Sequence, residues 1–298
     1  MTTETAREMA GEMAAEVTTE MTAGSAPRTA PRRLPVGSVA RVAALIVAAG
    51  LTLGPVAWTL WTSLNPQDAD TGATSFGLGG YADVFDRVDM ALLVLNSALV
   101  TGLIAIGQMI TAAMAGYAFA RIPFRGRGLL FALVLATMMV PIQVTIVPVF
   151  MLIRGMGLAD TLLALIVPAL PTAFGTFLMR QYFLGLPADL GDAAAIDGAG
   201  PWRTFFSVYA PLAAPGMAIV GILAFNFHWN EFFRPLILSI SEQNFTLPLG
   251  LVSLQGNLGT GSVSTVLAGV VLSMLPALAV FVFGQRSLRE GLTAGSVK

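Results

Sequence analysis

Six stretches, residues 42–64, 91–118, 129–153, 162–179, 212–238 and 263–284, are almost wholly apolar, and only the fifth contains any Asp, Glu, Lys or Arg. At about 1.5 Å per helical residue, roughly 20 such residues cross a hydrocarbon core of about 30 Å. A backbone in lipid must satisfy its own hydrogen bonds, so these runs point to helices and to an all-α membrane protein with six transmembrane helices. The balance of the 298 residues agrees, with 55% hydrophobic, 11% charged and a mean hydropathy of +0.77. Pro141, Pro148, Pro168 and Pro171 fall inside the third and fourth runs and predict kinked spans whose freed carbonyls find donors on neighbouring helices.

The arginines orient the chain. Arg7, Arg28, Arg32, Arg33, Arg41, Arg121, Arg125, Arg127, Arg180, Arg203, Arg286, Arg289 and Lys298 fall on one side of the six runs, and Arg87, Arg154 and Arg234 on the other. The excess predicts cytoplasmic N and C termini. Residues 1–40 read as a polar cytoplasmic extension, since Glu4, Glu8, Glu12, Glu16 and Glu20 repel one another at helical spacing, and disorder is the expectation. The acidic start without an apolar core is not a cleavable signal peptide. Residues 41–90 hold the first span and an outer loop with Asp68, Asp70, Asp83, Asp86 and Asp89. Residues 91–285 form the main membrane domain, and 286–298 a cytoplasmic tail.

Several chemistries are excluded. The chain has no cysteine and one histidine, so a His/Cys metal cluster cannot be built. Its single lysine is Lys298, so no glycine-rich turn holds the lysine that a Walker A loop needs. Nucleic acid is not an expected partner, because the basic residues are scattered and the net charge is -1. No cofactor is expected, and the chain does not read as an enzyme.

Between the fourth and fifth runs lies DAAAIDGAGPWRTFFSVYAPLAAP, residues 192–215. Alanines with Asp189 and Asp192 in the first turn predict a short helix to Ile196. Gly198 suits the left-handed turn that ends it, and Pro201 suits the first position of a second helix. That second helix is expected to carry Trp202, Phe205, Phe206 and Tyr209 on one face. At fixed spacing, Asp192, Ala193, Ala194, Asp197, Gly198, Ala199, Phe205, Pro211 and Pro215 resemble the Glu-Ala-Ala loop of binding-protein-dependent ABC importer permeases, with Asp192 in place of the usual Glu. NSALV from Asn96, AGYAFARIPFRGR from Ala115, WNEFFRPL from Trp229 and the tail GLTAGSVK, with Gly291, Leu292, Thr293 and Gly295, are similar to the carbohydrate branch, and the tail to the second permease of maltose-type systems.

The resemblance implies the ABC importer type I permease fold in a bacterial cytoplasmic membrane. It implies a homologous permease, two ATPase subunits, an extracytoplasmic solute-binding protein, lipid and a sugar substrate as partners. It also implies that the 192–205 loop docks on the ATPase and couples hydrolysis there to alternating access here. A non-sugar solute is the alternative within the family. An ion-coupled secondary transporter is the alternative outside it, although paired midplane acids and inverted repeats are not found. Asn96, Gln108, Gln143, Asn226, Asn230 and Glu231 are the polar residues at membrane depth. Each is read as either a substrate-path residue or a helix-to-helix contact, with contacts favoured. On one continuous helix Asn226, Asn230 and Arg234 would share a face, and Glu231 would pair with Arg234. The glycines of 256–261 read as a flexible outer loop.

Overall fold

The computed structural model describes residues 36–66, 75–256 and 262–294, with side chains from Ala40 to Gln285. The extension at 1–35, Asp68, Asp70, residues 257–261 and Gly295 lie outside them. Every regular element among the described residues is helical. Two compact units make up the chain, Met1–Pro55 and Val56–Lys298. Helix α1 (Val36–Ser63) supplies the described part of the first and runs on through Pro55.

Within the outer loop expected after the first span stands a further helix, α2 (Gly79–Arg87). Its Val84 is fully buried, Thr265 donates to Asp83 at 3.2 Å, and a Cβ on Gly80 would come within 3.2 Å of the Ser264 backbone. Hydropathy misses this helix because its few apolar residues sit among aspartates.

Helix α3 (Met90–Arg121) is capped by Asp89, which accepts from the Leu92 amide at 3.0 Å. Its faces are inverted relative to a helix in water. Leu95, Leu99, Leu103, Ile106 and Ile110 are about half exposed, while Asn96, Ser97, Thr101 and Gln108 are buried. In water such an outward leucine stripe is costly. In lipid it is neutral, and the polar residues turn inward to find partners.

The third, fourth and fifth runs are broken. Helices α4 (Arg127–Thr137) and α5 (Ile142–Gly155) meet at 100°. Pro141 at the joint has no N–H and sits extended at ψ 139°, so the ladder cannot pass it. Pro148, by contrast, lies inside α5. Helix α6 (Leu162–Ile166) with its 3-10 turn Val167–Ala169 meets α7 (Ala173–Gly185) at 42°, next to Pro171. After α8 (Asp189–Ile196), the segment Pro201–Leu212 is bent by 74° from α11 (Ala214–Trp229), with α9 (Pro201–Thr204) and α10 (Ala210–Leu212) at its ends. The run then breaks again before α12 (Phe233–Leu238). Helices α13 (Leu247–Gly250) and α14 (Val263–Ala294) complete the chain.

Three helical segments among the described residues, Ala40–Ser63, Met90–Arg121 and Val263–Gln285, are each long and apolar enough to cross a membrane. The three bent pairs bring the total to six if each is one span. Against α3 lies α7 at close range: a Cβ on Gly116 would stand 2.6 Å from Met179 Cβ and 2.8 Å from the Arg180 amide nitrogen. Only a missing side chain permits that approach, the usual basis of tight helix crossing in membranes.

Asp160, at a left-handed φ of 55°, ties the turn before α6 to the segment after α12. Its carboxylate accepts from the amides of Ile240 and Ser241 at 2.9 Å each and from Ser241 Oγ at 2.5 Å. Asn244 Nδ2 donates to the Asp160 carbonyl at 2.7 Å. The Ser241 hydroxyl first, then the two amides, hold this carboxyl well below the ordinary carboxylate range.

Candidate functional site

The stretch that interrupts the apolar runs forms one exposed helix closed by a glycine turn. In α8, Asp189 and Asp192 stand in the first turn, where unpaired N–H groups favour negative charge. Gly198 takes φ +73°. Its amide donates to the Ala195 carbonyl at 3.0 Å, and the Ala199 amide donates to Ala194 at 2.9 Å. These two bonds are the Schellman pattern, which uses up carbonyls that the helix end leaves open. Asp192, Ala193, Ala195, Ile196, Asp197 and Gly198 are exposed, Ile196 at 87%. Ala194 is 8% exposed and turns inward, whereas Ala193 and Ala195 on either side of it face outward.

The second helix departs from expectation. Pro201 opens it as predicted, but Phe205–Tyr209 winds as a π turn. The aromatics divide between two faces. Phe205 and Tyr209 are buried at 4% and 2%, while Trp202 and Phe206 are exposed and stacked with ring centres 6.2 Å apart. The pairs 202/206 and 205/209 are each four apart, and the one-residue offset between them is about 100° of helix rotation.

Beneath α8 the buried pair joins an aromatic base. The Tyr117 ring lies 5.1 Å from Phe205, 5.3 Å from Tyr209 and 5.8 Å from Phe183, centre to centre. The base therefore knits the end of α3, the end of α7 and the π turn together. Gly191 is fitted to it, since a Cβ there would lie 2.9 Å from the Tyr209 hydroxyl. Arg121 places its guanidinium carbon 5.2 Å from the Tyr209 ring centre and donates to the carbonyls of Phe183, at 2.6 Å, and Leu186. Arg180 donates to the Phe119 carbonyl at 3.2 Å and covers the Phe131 ring. In the sequence these arginines serve only as markers of sidedness, and Gly191 carries no signal of its own there. Their partners lie between 18 and 88 residues away, with no local signal.

Of the polar residues of the membrane runs, Asn96, Gln108 and Glu231 gather with partners in two places. Asn96 Nδ2 donates to the carbonyls of Gln243 at 2.8 Å and Phe245 at 3.0 Å, beside Ser97 Oγ, which accepts from the Leu247 amide at 2.6 Å. Gln108 Nε2 donates to the Ala169 carbonyl at 2.8 Å and lies 3.1 Å from His228 Nε2. His228 Nδ1 meets Glu231 at 2.6 Å, and Glu231 pairs with Arg234 at 3.0 Å, as expected. Arg234 also donates to Leu165, and Thr111 to Leu170. The carbonyls of Leu165, Ala169 and Leu170 thus receive side-chain donors where the broken helix stops supplying amides.

The shared face of Asn226, Asn230 and Arg234 does not form. Asn230 ends α11, its Nδ2 taking the Asn226 carbonyl at 2.8 Å in competition with the backbone, and Arg234 belongs to α12. Asn226, Asn230 and Gln143 are exposed. Gly291, Leu292 and Thr293 continue the backbone of α14 to Ala294.

Residues 108–290 match the family described as binding-protein-dependent transport system inner membrane component. The chain is 35% identical over 278 residues to the arabinooligosaccharides transport system permease protein AraQ of Bacillus subtilis (strain 168), covering 89% of this chain and 98% of that one. With the trehalose transport system permease protein SugB of Mycobacterium tuberculosis (strain CDC 1551 / Oshkosh) it shares 34% over 265 residues, 85% of this chain and 94% of the relative. Among solved structures it is similar to a chain of a bacterial ABC transporter involved in the import of the acidic polysaccharide alginate, at a TM-score of 0.75 and 22% identity, covering 86% of this chain and 98% of that chain. At that identity the likeness is one of fold.

Proposed function

The chain belongs to the family of binding-protein-dependent transport system inner membrane components, and from that premise we propose that it is the permease subunit of an ATP-driven importer for a sugar or sugar-like solute. It acts with a homologous permease, two ATPase subunits and an extracytoplasmic solute-binding protein, in six spans of a bacterial cytoplasmic membrane with both termini inside. The arginine excess supports that orientation. The named sugar substrates of the relatives support the substrate class.

The observation that carries the mechanism is the exposed α8, closed by Gly198 and seated on the Tyr117–Phe183–Phe205–Tyr209 base. Asp192, Ala193, Ile196 and Asp197 are the surface it offers to the ATPase, while Ala194 and Phe205 support it from below. A displacement of α8 is passed through rigid aromatic contacts to the ends of α3 and α7, and through Pro201–Leu212 to α11. Hydrolysis takes place in the ATPase, and this chain turns the displacement into alternating access. Asn96, Gln108 and Glu231 serve as helix contacts, since the amide nitrogens of the first two and both carboxylate oxygens of the third are engaged within the chain.

The test is uptake of labelled oligosaccharides by the full complex in proteoliposomes that hold no ion gradient. ATP-dependent uptake is expected. Uptake that needs a proton or sodium gradient and ignores ATP would overturn the reading in favour of a secondary transporter.

A further inference from the structure

The cluster around His228 permits one arrangement of hydrogens. A carbonyl oxygen only accepts, so the Gln108 atom 2.8 Å from the Ala169 oxygen is the amide nitrogen. The same nitrogen stands 3.1 Å from His228 Nε2, and its second hydrogen needs an acceptor there. Nε2 is therefore bare, and the imidazole hydrogen sits on Nδ1, directed at Glu231 Oε2 at 2.6 Å. The other oxygen of Glu231 receives Arg234 Nη2 at 3.0 Å, and Arg234 Nη1 donates to the Leu165 carbonyl at 3.1 Å. One carboxylate, one guanidinium and one neutral imidazole sum to no net charge, which suits a site whose three side chains are each about nine-tenths buried or more. Of the elements packed against α11, residues 162–172, α3 from Met90 to Gly116 and α14 from Val263 to Gln285 carry no titratable side chain, and on α7 Arg180 donates to Phe119 and Tyr182 to Leu212.

We propose that Gln108 is a positioning residue: its amide fixes His228 as the neutral imidazole with hydrogen on Nδ1, and so holds Glu231 between two donors in a cross-link joining the break at 170–172 to the break at 230–232. A proton added at Nε2 would set two donors face to face, which makes the site's role in this proposal one of holding helices together. The broken helix end at 165–170 leaves carbonyls that need donors, and within this chain of four side chains Gln108 supplies Ala169 and Arg234 supplies Leu165.

His228 is the only histidine, so isotope-labelled histidine introduced in this subunit of the assembled complex reports on one imidazole. In the assembled complex the nitrogen spectrum should show hydrogen on Nδ1 and none on Nε2. Hydrogen on Nε2, alone or on both nitrogens, would overturn the proposal. In Gln108→Met, which keeps the bulk and removes the donor, the second tautomer or the doubly protonated ring should appear. An unchanged spectrum there would deny Gln108 its role. Should that variant fail to assemble, the native spectrum still decides. His228→Gln, whose amide can accept from Gln108 and donate to Glu231, should assemble at the native yield, whereas His228→Leu should not. Equal yields from the two would count against the cross-link. These measurements read the imidazole and assembly rather than uptake, so they stand apart from the function proposed above.

Discussion

Gly198 sits at φ +73° with open space where a Cβ would stand, so a substitution there is resisted by the backbone alone. A left-handed L residue costs about 1–2 kcal/mol, and a β-branched one is the least tolerated. Since about 1.4 kcal/mol is a tenfold change in affinity, Gly198→Val should lower co-purification of the ATPase about tenfold and abolish uptake, with membrane expression unchanged. Gly198→Asn should be milder, because asparagine tolerates this conformation. Native uptake in Gly198→Val with the ATPase still bound would remove α8 from the mechanism. Glu231 poses the opposite case, a residue defined by its partners. Glu231→Gln leaves the Arg234 charge buried without its carboxylate, a loss on the order of 3 kcal/mol for a broken buried pair. The complex should melt at a lower temperature and assemble in lower yield while its preference among sugars stays the same. An altered preference with normal assembly would instead place the residue in the solute path.

At the scale of elements, the seat of α8 on its aromatic base makes a prediction that helix propensity contradicts. Alanine is a better helix former than glycine by about 1 kcal/mol, yet at position 191 its Cβ would lie 2.9 Å from the hydroxyl of the buried Tyr209. Gly191→Ala should therefore lift α8 and weaken ATPase binding several-fold, and Tyr209→Phe, by removing that hydroxyl, should restore it. A double-mutant cycle on co-purification measures the coupling, and additive effects would show that the close approach is unimportant. A second junction between elements depends on charge. The Asp160 carboxyl is held below its ordinary range by the donors of Ser241 and Ile240. Its contribution is complete above the unfolded value of about 3.9 and is lost as pH falls below it toward the lower folded value. Hydrogen exchange at the amides of Ile240 and Ser241, corrected for the intrinsic rate, should accelerate only below about pH 4 in the native chain. In Asp160→Ala it should be fast at every pH.

For the whole molecule the open question is sidedness, and the absence of native cysteine makes it direct to measure. Single cysteines at Asp83 and Gly256 should react with an impermeant reagent in intact cells, and cysteines at Asp197 and Ser296 should not. Labelling at position 296 from outside would break the six-span arrangement, because an even number of crossings returns the chain to the side where it began. The same experiment asks whether each bent pair makes one crossing. If the 100° joint between α4 and α5 marked a re-entrant loop, the 192–205 stretch would change sides, and position 197 would label.

Much was legible in the residues themselves. Charge-free runs longer than about 20 residues leave no fold but membrane helices, because lipid offers the backbone no partners. Gly198 and Pro201 announced the turn and the restart, since each acts through its own backbone geometry. Pro141 and Pro171 marked where two runs bend. Hidden from the sequence was everything set by contact between distant segments. Phe205 and Phe206 are adjacent and chemically alike, yet one is core and the other surface, a division made by the π turn and by Tyr117 nearly ninety residues earlier. Asn230 looked like a face residue of a continuous helix until its own side chain took the Asn226 carbonyl and ended that helix. Local propensity and hydropathy sum over neighbours in the chain and so determine which segments enter the membrane and where they can turn. Which of their small and polar residues meet is decided only when the helices pack, because a buried donor is worth its place only opposite an acceptor that another helix brings.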